Sequence, residues 1–259
     1  MDEWTLQTAL ATLPLGPLRF YETIGSTNDQ ALAWATQGAP DLSLVVADEQ
    51  TRGRGRMDRK WFTPRGSALA FSLILRPTVA ERAHPAQITG LLAVSLAESL
   101  RKRGLAPLIK WPNDVLLEGR KAAGILVEAA WMGEQLQALV LGMGVNVSKE
   151  AVPPGEVLLF PAISVEEALG RRVERLPLLR DILQALLNWR PQVGTGSLVK
   201  AWDESLAFRG QQVQVEARGG ETVIGTITAL TGDGALALRG TDGKSITIRF
   251  GEVHVRPLT

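Results

Sequence analysis

DVLLEGRKAAGILVEAAWMGEQLQALVLGMGVNV, residues 114–147, is the stretch on which the fold turns. It holds strand-like apolar runs, broken first near Glu118-Gly119 and again at Trp131 to Glu134. Runs of this kind with a tight turn between them read as a β-hairpin. Gly142 and Gly144 fall at alternate positions of the last run. Such a pair marks a bulge, a close-packed strand or a place where something passes near the backbone.

Working outward, PLIKW (107–111), SALAFSLILRP (67–77), SLVVADEQ (43–50) and LRFYETI (18–24) read as further strands. Helices fall between and after them. Ser26, Thr27, Asn28 and Asp29 form an N-cap cluster before QALAWATQ, and Gly38 stops that helix. Residues 86–103 place Ile88, Leu92, Leu96 and Leu100 on one face. Ser164 with Glu167 reads as a capping box, 176–189 as an amphipathic helix, and Ser197 as the cap of another. From about Phe208 short alternating runs are separated by Gly-Gly, Gly-Asp-Gly and Asp-Gly, as in a small closed β-barrel. The expectation is an α/β chain of the α+β type: a mixed sheet with packed helices over 1–206 and a barrel over 207–259.

Composition sets bounds. The 259 residues are 45% apolar, enough for a sizeable core. Lys plus Arg is 28 against 27 for Asp plus Glu, so the chain is no polycation. It has no cysteine, which excludes disulfides and thiolate metal sites. The first residues lack a basic start and apolar run, and no apolar stretch reaches membrane-spanning length. The expected setting is the cytoplasm.

Against that balance, QTRGRGRMDRK (50–60) gathers five cations around Gly53 and Gly55. Spacing alone leaves open a solvated surface loop and a glycine-loosened lid over an anionic ligand. Against a Gly-Arg nucleic-acid element, the segment lies between two apolar strands, is not repeated and has no aromatic before Trp61. It is not a P-loop, because GxxxxGK[ST] occurs nowhere.

GRGR (53–56) followed by RKWF (59–62), with KWPND (110–114), GRKAAGILVE (119–128) and LGMGVNV (141–147), resembles the biotin protein ligases, also called biotin–[acetyl-CoA-carboxylase] ligases. STN at 26–28 and Gln50 match too, and the resemblance runs from about residue 19 to the C-terminus. It implies an SH3-like barrel at the end and a two-step reaction. Biotin's carboxylate attacks the α-phosphate of ATP to give biotinyl-5′-AMP and pyrophosphate. A lysine of an apo biotin carboxyl carrier protein then attacks the mixed anhydride and releases AMP. Some members also carry an N-terminal helix-turn-helix. Eighteen residues precede Arg19, too few for one, so no DNA-binding domain is expected.

The resemblance places Arg56, Lys121 and Lys110 on the reacting anions, where cations offset the repulsion between carboxylate and triphosphate. It assigns biotin to Ser26, Thr27, Asn28, Gln50, Gly53, Arg54, Gly55, Arg56, Lys121, Gly124, Leu126 and Gly142. Nucleotide falls to Arg54, Arg56, Trp61, Lys110, Asn113, Gly144 and Asn146. Trp61, Gly124 and Leu126 wall the apolar part of biotin. ATP and biotin are substrates, and Mg²⁺ arrives with ATP. Asp114 is read as holding Lys110 or the turn in preference to binding Mg²⁺, and no tight protein metal site is expected, His84 and His254 being isolated. A homodimer is compatible with all of this. The family loop usually has a glycine where Met57-Asp58 stand here.

Overall fold

The computed structural model describes residues 1–154, 160–216, 222–249 and the backbone of 256–257. Its larger part is a seven-stranded sheet ordered β1-β2-β3-β7-β6-β5-β4. These strands are β1 (Leu18–Ile24), β2 (Ser43–Gln50), β3 (Ala68–Leu75), β4 (Leu108–Lys110), β5 (Asp114–Leu117), β6 (Arg120–Met132) and β7 (Gln135–Asn146). β1 and β2 run parallel and every other neighbouring pair is antiparallel, so the sheet is mixed as expected.

Both faces are covered, which is why β3 is buried along its whole length and reads as a near-continuous apolar run. On one face Leu73, Leu75, Leu139 and Leu141 join the main core with α4 (Pro85–Arg101) and α6 (Arg175–Trp189). On the other, Ile74, Ala130, Ala138 and Val140 pack under α2 (Thr27–Thr36) with Ala31 and Ala35. Strand alternation sends these two sets to opposite sides. The α2 face changes character along the strands. Beyond the helix its cross-strand rows become Ser72–Gly142–Leu126 and Ala70–Gly144–Gly124, almost all small. A hollow follows from that change of side-chain size.

Two short helices are not among the expected ones. α1 (Glu3–Leu10) starts on a capping box of Asp2 with Thr5 and buries Leu6 and Leu10, a spacing of four. α3 (Val79–Ala83) starts on a capping box of Thr78 with Glu81. At α5 (Val165–Leu169) Ser164 does accept from the Glu167 amide. The Glu167 carboxylate instead binds Arg120 at 2.6 Å. Ser197 is not a cap either. Gly196, at φ 84°, holds that place and Ser197 is the first residue of α7 (Ser197–Glu204).

The second unit is antiparallel throughout: β8 (Gln212–Glu216), β9 (Thr222–Leu230), β10 (Leu236–Gly240), β11 (Ser245–Ile248) and β12 (Arg256–Pro257), ordered β11-β10-β9-β8-β12. His254 and most of the expected last strand lie outside the described residues. The β9–β10 turn rests on the larger unit. Gly234 O accepts from Trp111 Nε1 at 2.9 Å, and Gly232 O from Gln87 Nε2 at 3.3 Å. No helix among the described residues is long and apolar enough to cross a membrane.

α4 and α7 approach closely at Gly90, where an added Cβ would lie 2.3 Å from Trp202 Cε3. Gly90→Ala is therefore expected to destabilise the chain by about 1–3 kcal/mol. The check is a lower urea midpoint at unchanged slope.

Candidate active site

The hollow on the α2 face is a cavity of about 1050 Å³. Its floor is the small-residue rows of β3, β7 and β6, one end is the start of α2, and residues 50–62 lie across it. All the residues expected on biotin or nucleotide line it, from five separate stretches of the chain. Seven cations line it against the three carboxylates of Asp29, Asp58 and Asp114. The chain as a whole is nearly neutral, so the positive excess is local and faces this space.

At one end the α2 start forms a tight polar cluster. Ser26, Thr27 and Asn28 are all buried. Gln50 Oε1 accepts from Thr27 N at 2.8 Å and from Thr27 Oγ1 at 3.1 Å, and Gln50 Nε2 donates to Thr63 Oγ1 at 3.0 Å. Ser72 Oγ lies 2.8 Å from Thr27 Oγ1 and 2.5 Å from Asn28 Oδ1. Asn28 Nδ2 donates to Leu126 O at 3.2 Å and to Glu128 Oε2 at 2.8 Å. Side chains held this firmly present fixed donors and acceptors to whatever enters, which is preorganisation.

At the other end stand the lysines. Asp114 lies between them, 2.7 Å from Lys121 Nζ through Oδ1 and 3.9 Å from Lys110 Nζ through Oδ2. Lys110 Nζ also sits 4.3 Å from the centre of the Phe160 ring, and Lys121 Nζ 5.5 Å from that of Trp61. Lys121 owes its place to a register shift. Asp114 pairs with Gly124 and Val115 with Ala123, but Leu116 pairs with Lys121. Ala122 is thus an extra residue in β6, and both Ala122 and Ala123 enter the main core. A bulge of this kind re-aims the next side chain. Lys121 therefore shares the cavity face with Gly124, whose added Cβ would lie 3.3 Å from Lys121 Cε.

The arginine segment is a small hairpin. Trp61 N donates to Gly53 O at 2.8 Å, Gly55 N to Arg59 O at 2.7 Å and Arg59 N to Arg56 O at 3.3 Å. Met57 and Asp58, the turn pair, both have positive φ, 59° and 55°. That conformation suits Asn-Gly, and a glycine would adopt it without strain. The two other glycines differ in kind. An added Cβ at Gly53 would lie 2.4 Å from Trp61 O, whereas at Gly55 the nearest atom is 3.5 Å away. Gly53→Ala is expected to force the hairpin arms apart and Gly55→Ala to leave them paired, read as amide exchange of Trp61 in each variant.

The two inner arginines are placed differently. Arg56 Nη1 donates to Asn113 Oδ1 at 3.3 Å, beside the lysines. Arg54 faces carboxylates: Nη1 meets Glu128 Oε1 at 2.9 Å, and Nη2 meets Glu128 Oε2 and Asp29 Oδ1, each at 2.7 Å. Partial burial pulls its pKa down, but the hydrogen bonds and charges of Glu128 and Asp29 outweigh that and leave it raised. Trp61 lies over Gly144 and Gly124; its indole N–H, buried without a hydrogen-bond partner among the described residues, is where an added Cβ on Gly144 would come within 2.1 Å. Asn113 Nδ2 donates to Ile125 O at 3.0 Å, and Asn146 Nδ2 to Ile163 O at 3.3 Å.

Sequence reasoning passed over Ser72, Asp29 and Glu128. Ser72 left a trace, a lone hydroxyl within an apolar run. Glu128 is the last residue of a quoted motif but its partners are 74 and 100 positions away. A cavity of about 760 Å³ between α1 and the start of α6 gathers none of the expected residues. Its Arg175 and Arg180 already bond Asp48, and Ala9 with Thr12.

Known proteins resemble this chain in sequence and in fold. The profile of the Biotin/lipoate A/B protein ligase family matches residues 20–146, and that of the Biotin protein ligase C terminal domain matches 208–256. The biotin--[acetyl-CoA-carboxylase] ligase of Paracoccus denitrificans is 36% identical over 234 residues, covering 85% of this chain and 93% of that one. The bifunctional ligase/repressor BirA of Bacillus subtilis is 35% identical over 185 residues, 71% of this chain, and the match spans 57% of that relative's length. A solved biotin protein ligase from Aquifex aeolicus, in complex with biotin and ATP, superposes with a TM-score of 0.81 at 26% identity. It covers 93% of this chain and 99% of that one. With profile, relatives and fold in accord, the chain belongs to the biotin protein ligase family.

Proposed function

We propose that the chain is an ATP-dependent ligase that makes biotinyl-5′-AMP and passes biotin to a lysine of a biotin carboxyl carrier domain. The observation that carries this is the polarity of one cavity. A preorganised amide and hydroxyl cluster stands at one end, cations stand at the other, and a glycine floor lies between them. A ureido ring needs the first, a carboxylate beside a triphosphate needs the second, and an aliphatic chain with a ring needs the third.

Ser26, Thr27, Asn28 and Gln50 receive the ureido group, with the segment Gly53–Arg54–Gly55 closing beside it. Gly124, Leu126, Gly142 and Trp61 enclose the apolar part. Arg56 and Lys121 hold carboxylate and α-phosphate, and Lys110 takes phosphate or pyrophosphate, with magnesium arriving on ATP. Asn113, Gly144 and Asn146 flank the nucleotide. Substrate groups make both attacks, so the protein orients, offsets charge and keeps water from the anhydride. Residues 1–206 form the catalytic unit and 207–259 the barrel unit, the setting is the cytoplasm, and a homodimer is compatible.

The test is ATP–pyrophosphate exchange with biotin, lipoate or neither, then transfer to an apo carrier domain. Exchange that needs biotin supports the reading. Its absence, with strongly salt-dependent nucleic-acid binding in its place, overturns it.

A further inference from the structure

Glu128 gathers two partners that belong to different parts of the site. Its Oε2 accepts from Asn28 Nδ2 at 2.8 Å, at the start of α2, and from Arg54 Nη2 at 2.7 Å, in the arginine hairpin. Its Oε1 takes Arg54 Nη1 at 2.9 Å, so the arginine is held at two points. Asp29, one residue after Asn28, takes the same Nη2 from the other side at 2.7 Å. A bidentate guanidinium–carboxylate pair is directional as well as strong. It holds a segment in one orientation, which a lone lysine pair does not. The Glu128 side chain is 24% exposed and Arg54 38%, so the contact is part-shielded and stays open to salt and to competing water.

We infer that Glu128 is a positioning residue: through Arg54 it latches the arginine hairpin across the cavity, with Asp29 as a second catch. Arg54 serves that latch, and the work on the reacting anions falls to Arg56 and Lys121. Because one carboxylate oxygen holds both Asn28 and Arg54, the state of the biotin end is transmitted to the hairpin. A ligand that fixes Asn28 also fixes Glu128 and keeps the hairpin down. A ligand that displaces Asn28 loosens it. The role in retaining an adenylate rests on the ligase reading; the latch itself does not.

Two measurements on the full chain separate these. The first is limited trypsin digestion without added substrates, reading cuts between Arg52 and Lys60. Glu128→Gln keeps the shape and removes the charge. It is expected to speed cleavage there about tenfold, and Asp29→Asn about threefold. The second is a double-mutant cycle of Arg54→Gln and Glu128→Gln, reading release of biotinyl-adenylate into solution. Each single variant is expected to raise release about tenfold, and the double variant no further. Equal trypsin rates in Glu128→Gln and the unmodified chain overturn the latch, as do additive effects in the cycle. If Glu128→Gln melts at a much lower temperature, Asp29→Asn, at a half-exposed helix start, decides alone, and unchanged cleavage there overturns the proposal. Absence of biotin-dependent exchange in the unmodified chain counts against the ligase reading, while the trypsin result still judges the latch.

Discussion

Lys121→Ala is expected to lower biotin-dependent ATP–pyrophosphate exchange by about 100- to 1,000-fold, the effect of removing one preorganised charge from a transition state. The lysine is not a loose surface cation. It is a quarter exposed, 2.7 Å from Asp114, and set on the cavity face by the register shift in β6. Its loss has a second consequence. Among the described residues Asp114, with a side chain 13% exposed, then has the more distant Lys110 at 3.9 Å as its ion-pair partner. Leaving a shielded carboxylate less compensated costs up to about 3 kcal/mol. Exchange at saturating biotin and a urea melt should therefore both change, the first far more than the second. Lys121→Arg is not expected to restore exchange, because a planar fork does not fit where a compact ammonium stands between Asp114 and Trp61. Near-normal exchange in Lys121→Ala would remove it from the reacting centre.

Gly142→Ala and Gly144→Ala are expected to weaken biotin and ATP use through volume alone. A methyl at Gly142 would lie 2.0 Å from Asn28 Oδ1, and one at Gly144 2.1 Å from Trp61 Nε1. Asn28 does not yield freely, since it is tied to Ser72, Leu126 and Glu128. Overpacking of about 1–3 kcal/mol corresponds to roughly a 5- to 150-fold rise in KM. Gly142→Ala should raise KM for biotin and Gly144→Ala that for ATP. Gly232→Ala, with nothing within 4 Å of the added carbon, is the control and should behave as the unmodified chain does. Unchanged KM values in both site variants would show that the floor is not where substrates lie.

The two alanine tests also mark where sequence stops being informative. Strands of the sheet were legible because apolar runs and Gly or Pro punctuation coincide with the largely buried β3 and β7 and the partly buried β6. So was the hollow in outline, since alternate glycines on a strand leave space on one face. Helices α1 and α3 were not singled out; each is short and declares itself mainly by a capping box, at Asp2–Thr5 and Thr78–Glu81. The motif residues could be assigned to a site by resemblance, but their division of labour could not. Arg54 and Arg56 look equivalent in GRGR, and only folding shows one against Glu128 and the other beside Asn113. Such pairings are set by long-range contact, which neither propensity nor periodicity records.

The register shift at Ala122 lets this segment carry one residue more than its partner strand while Lys121 and Gly124 keep one face. Taking out that single alanine would restore a regular ladder and leave Lys121 opposite Leu116 and on the cavity face, because Lys121, Ala123 and Gly124 would then alternate. A one-codon deletion is thus a milder lesion here than its place inside a motif suggests: the core loses one small side chain while the lysine keeps its side of the sheet.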